Sequence, residues 1–173
     1  MYFPYLRGRQ YELIAIRELV EKSLISRKVI PVIEPVKLSS ALIKTLRSSQ
    51  ERDFTLGLVR NPQVGDMLRD LKNDKNEKYR DQFYELLGTS NIMNFLFADA
   101  NLSKNLSSIE DLGISKKDIA TICINQEAIH HFESVYNLEA PRFNFMREES
   151  VFRRRMPRQR VLFEAALSNR TGM

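Results

Sequence analysis

Seven polar residues stand where short apolar runs stop: Glu34, Arg60, Asn61, Asp99, Asn125, Asn144 and Arg147. Two carboxylates among amides and guanidinium groups suit one chemistry in particular. Glu34 and Asp99 supply hard oxygen ligands for Mg²⁺, and Arg60 or Arg147 clamps a phosphate with two parallel hydrogen bonds. With Asn61 and Asn125 beside them, Glu34 and Asp99 would form the catalytic set of a divalent-metal-dependent phosphoester hydrolase. The same residues also suit a plainer role. Strands end in polar turn formers, Asn125 can cap the helix after it, and Glu34 can pair with Arg7 or Arg9.

A second cationic feature lies near the C-terminus. Arg147, Arg153, Arg154, Arg155, Arg158 and Arg160 account for much of the net charge of +5. Such a cluster fits nucleic-acid phosphates, with Phe152 able to stack on a base, or the acidic face of a protein partner. As a solvated charge run it would do neither. Other motifs are weak. His130 and His131 are neighbours on an expected helix, about 100° apart, and cannot share a metal as an i,i+4 pair does. Cys123, the one cysteine, sits in an apolar strand and reads as a core residue. No Cys-x-x-Cys, His-x-x-x-His or nucleophile-elbow pattern is present.

The elements that position these residues follow from periodicity. The β-branched and apolar runs 29–34, 54–61, 92–99, 119–125 and 141–147 read as strands, with a further strand at 160–164. Amphipathic segments separate them. One helix is expected from Arg9 to Glu21, with Leu13, Ile16, Leu19 and Val20 inward, and another after Ser39 or Ser40. The region Val64–Leu87 reads as two helices around the solvated run 72–78, or as one with an exposed middle. A short helix is expected to start at a capping box, Ser107-Ser108-Ile109-Glu110, and to stop at Gly113. A last helix covers Gln126–Tyr136. Tyr2, Phe3, Tyr5 and Leu6 form an apolar strip expected beside the first strand or under the sheet.

Alternating strands and helices imply an α/β fold with a parallel sheet, whose functional groups gather at the carboxyl ends of the strands. The turn after the first strand, Glu34-Pro35-Val36-Lys37-Leu38-Ser39, has no glycine, which argues against a dinucleotide fold. A complete (β/α)8 barrel takes about 250 residues. The chain has 173. The expectation is therefore a TIM-barrel-like parallel βα array, incomplete, occupying residues 1–167 as one domain with a frayed tail at 168–173. Such an array is a piece of a longer protein or half of an assembly, and a second copy covering an open sheet edge is a natural partner. The apolar runs are too short to cross a bilayer and Met1–Arg9 lacks a signal-peptide layout, so the expected compartment is the cytoplasm.

The opening Tyr2-Phe3-Pro4-Tyr5-Leu6-Arg7-Gly8-Arg9-Gln10-Tyr11-Glu12-Leu13 and the later Val29-Ile30-Pro31-Val32-Ile33-Glu34-Pro35 resemble an uncharacterised bacterial family related to the phage-type Beta protein family. Arg60-Asn61-Pro62 and Arg142-Phe143-Asn144-Phe145 are further matching places, and the resemblance spans Tyr2 to about Glu164. It implies a longer protein with more αβ units, diverging near Ala165, and a prophage or phage-defence setting. It brings no established activity. The leading expectation is a binding or accessory factor that touches nucleic acid through its arginines; the metal-dependent hydrolase is the alternative.

Overall fold

The computed structural model describes residues 1–136, 140–146 and 160–162. Seven strands lie in the sheet in the order of the chain, and each pairing recorded among the described residues is parallel. They are β1 (Tyr5–Leu6), β2 (Val32–Ile33), β3 (Leu56–Val59), β4 (Ile92–Phe97), β5 (Ala120–Cys123), β6 (Phe143–Met146) and β7 (Arg160–Leu162). The helices between them are α1 (Gln10–Glu21), α2 (Ser40–Glu51), α3 (Met67–Asp70), α4 (Glu77–Leu87), α5 (Leu102–Glu110) and α6 (Gln126–Tyr136). This is an α/β, parallel βα array. It is incomplete, because a closed barrel of this kind uses eight strands.

The chain packs as two compact units, Met1–Asn94 and Phe95–Met173. In the first, alternation along the strands sends Leu6, Ile33, Leu56 and Leu58 toward the helices. There they meet Leu13, Ile16 and Val20 of α1, Leu42, Ile43 and Leu46 of α2, and Phe83, Leu86 and Leu87 of α4. Burial of each such leucine contributes about 1.5–3 kcal/mol. Ser39 starts α2 by accepting a hydrogen bond from the Leu42 amide at 3.3 Å, as its type predicts. In the second unit, Leu96, Ala98, Cys123 and Met146 face α5 and α6. On the other face, Phe95 and Phe145 meet edge to face at 5.0 Å.

Some expectations hold and others need correction. The N-terminal strip does lie beside the first expected strand, and it is itself a strand of the sheet: Tyr5 pairs with Val32, Leu6 pairs with Ile33, and a bridge joins Tyr2 to Val29. Leu19 lies outside the α1 stripe and is 38% exposed. Ser107 and Ser108 do not open a helix. They sit in the last turns of α5, where their hydroxyls donate back to the Ser103 and Lys104 carbonyls. The helix starts earlier because Leu102, Leu106 and Ile109 already form a buried stripe at i, i+4 and i+7. Gly113, at φ +78°, follows that helix as expected. The region Val64–Leu87 follows the first of its two readings, two helices around a solvated break: α3, a single 3-10 turn at Asp74–Asn76 and α4. The strand expected at 160–164 is described over Arg160–Leu162, and the expected tail at 168–173 lies outside the described residues.

Candidate functional site

At the carboxyl ends of β1, β2 and β3, three chain segments close on Glu34, which is 1% exposed. One carboxylate oxygen, Oε2, accepts from the Tyr5 hydroxyl at 2.7 Å and from Arg7 Nη1 at 3.1 Å. The other, Oε1, accepts from the Gln63 backbone amide at 2.8 Å. The placement follows from strand alternation. Tyr5 and Val32 are partners in register, so Tyr5, Arg7 and Glu34 share the face turned away from the helices. Gly8 then turns the chain into α1 at φ +61°, where a Cβ would come within 3.0 Å of the Glu34 carbonyl oxygen. Burial, followed by the charge of Glu34, raises the Tyr5 phenol far above its ordinary value, so it remains a donor.

This arrangement bears directly on metal binding. Both oxygens of Glu34 are committed to donors of its own chain, and Arg7 places a positive charge where a cation would approach. Asp99 belongs to the second unit. Its Oδ1 accepts from the Asn101 amide at 2.8 Å, and its carbonyl accepts from Leu102, so it shapes the turn into α5. Asn125 caps α6 through the Ala128 amide at 2.8 Å. Asn61 is buried at the end of β3. Among the described residues, no group of three or more His, Cys, Asp or Glu side chains is arranged to hold a metal ion.

Arg60 takes the opposite face. It continues the alternation of Leu56 and Leu58, which point into the helical layer, whereas Glu34 follows Val32 on the other side. Its Nη1 donates to Asn94 Oδ1 at 2.8 Å, and Asn94 is buried within β4. Burial draws the Arg60 guanidinium down to about 10, partly opposed by the Tyr84 phenol of α4. It is still protonated at neutral pH. Glu34 and Arg60, expected on one rim, are thus separated by the sheet.

Arg147, Arg153, Arg154, Arg155 and Arg158 lie outside the described residues. Of the adjacent histidines, His130 is exposed on α6 and His131 stands 3.7 Å from Glu127. Cys123 is buried, and burial pushes its thiol up to about 12, which makes it a poor nucleophile. Asn144, fully buried, accepts from the Thr121 hydroxyl at 2.5 Å on the helical face of the second unit. Sequence reasoning missed Tyr5, the Gln63 amide and Asn94 as site components. A signal existed for the first: Tyr5 and Arg7 are two apart in an extended segment, so their side chains share a face. No family model matches the chain, and neither a curated protein nor a solved structure matches it.

Proposed function

We propose that this protein is a binding factor, not a metal-dependent hydrolase, and that it contacts nucleic acid through Arg147, Arg153, Arg154, Arg155 and Arg158. The observation that carries the first half is the Glu34 carboxylate, both of whose oxygens are taken by Tyr5, Arg7 and the Gln63 amide. A carboxylate held in this way fixes strand ends. Supporting the second half is the concentration of arginines between 147 and 160 in a chain of net charge +5. The resemblance to bacterial proteins of prophage type agrees with a nucleic-acid partner, and we propose that kinship as well.

The test is binding of a fluorescent DNA duplex across a series of salt concentrations. Replacing Arg153, Arg154 and Arg155 together with alanine should weaken binding and flatten the plot of log K against log salt by about 0.9 for each phosphate no longer neutralised. An unchanged slope would rule out the nucleic-acid contact. Phosphodiester hydrolysis that needs Mg²⁺ and disappears in Glu34→Gln without loss of fold would restore the enzyme.

A further inference from the structure

The guanidinium of Arg60 is an anomaly of charge. It is half-buried, and its one hydrogen-bond partner among the described residues is the neutral amide of Asn94, at 2.8 Å. Buried cations are ordinarily matched by a carboxylate, because an unpaired charge away from water is costly. Arg7, also half-buried in the first unit, has such a match in the buried Glu34 carboxylate at 3.1 Å. Arg60 has no acidic partner among the described residues.

Its setting leaves it reachable. Arg60 is only partly buried, while Asn94 beneath it is 3% exposed. Asn94 thus fixes one nitrogen from below. The rest of the planar fork keeps its donors, which suit a tetrahedral oxyanion bidentately.

We propose that Arg60, held by Asn94, is a seat for a phosphate group on the helix-facing side of the first unit. The seat does not use Glu34, which lies on the other face of the sheet. The phosphate supplies the missing counter-charge, so its binding stabilises the folded chain.

Thermal melting of the full chain tests this at constant ionic strength, with chloride replaced by inorganic phosphate and, in a second arm, by a short single-stranded DNA. The wild type should melt higher in inorganic phosphate than in chloride, and Arg60→Gln should lose that gain. A gain from the DNA alone, lost in Arg60→Gln, would support the same seat with a phosphodiester as the source. Asn94→Asp provides a second variant should Arg60→Gln not fold. It gives Arg60 an internal carboxylate and should abolish the phosphate gain. No gain in the wild type with either probe, or a gain kept in the folded variants, overturns the proposal.

Discussion

Glu34 and Asp53 make similar contacts at opposite ends of the first unit. Glu34 gathers the carboxyl ends of β1, β2 and β3 through Tyr5, Arg7 and the Gln63 amide. Asp53 joins the segments that lead into β2, β3 and β4, taking Arg27 at 3.3 Å and Asn91 at 2.9 Å. Each carboxylate has one arginine and at least one neutral donor. They differ in solvent: the Glu34 side chain is 1% exposed and that of Asp53 is 83% exposed. In water, an ion pair gains little and is screened by salt. Away from water, removing one partner strands the others without hydrogen bonds. The carboxyl end should therefore tolerate far less change than the amino end.

The contrast is tested most severely at Glu34. Glu34→Ala removes the acceptor shared by Arg7, Tyr5 and the Gln63 amide, and urea unfolding should show a loss of about 3–5 kcal/mol. A loss no larger than that from Asp53→Asn would refute the distinction. Next comes Gly65→Ala, in the loop that delivers Gln63 to Glu34. At φ +75° the new Cβ would lie 2.1 Å from the Val36 carbonyl oxygen. Backbone strain alone costs about 1–3 kcal/mol, and the clash adds to it. Tyr5→Phe isolates one donor to the same charged acceptor, with an expected loss of about 1.5–3 kcal/mol in the same urea experiment.

Asp53→Asn should have the smallest effect. Hydrogen bonds from Asn91 and Arg27 hold the Asp53 carboxyl below its ordinary value of 3.8. Its folded value is depressed, so its stabilisation is present above 3.8 and is lost as pH falls through the lower folded value. Melting of wild type and Asp53→Asn should therefore converge in strong acid. It should also converge in concentrated salt, because the pair with Arg27 is exposed.

The sequence revealed which segments are strands better than it revealed which face each strand end takes. The apolar runs were legible because burial on both faces of a parallel sheet demands them, as in Ile92–Phe97, all six residues of which are buried. The α2 cap at Ser39 and the helix Gln126–Tyr136 were readable from local chemistry alone. The two-residue strand Tyr5–Leu6 was not, because it is defined only by its neighbour β2. Glu34 and Arg60 were legible as strand-end residues. Their separation to opposite faces depends on the register of β2 against β3, which single-strand patterns do not specify. The Gln63 contact is made by backbone, so no side-chain motif could announce it.

Urea unfolding of wild type and Glu34→Gln, each in chelator and in millimolar Mg²⁺, decides between a structural clasp and a metal ligand. If Glu34 is a clasp between strand ends, the variant loses stability by the same amount in both solutions, and Mg²⁺ leaves the wild type unchanged. If Mg²⁺ stabilises the wild type but not Glu34→Gln, the carboxylate is a metal ligand and the clasp is refuted.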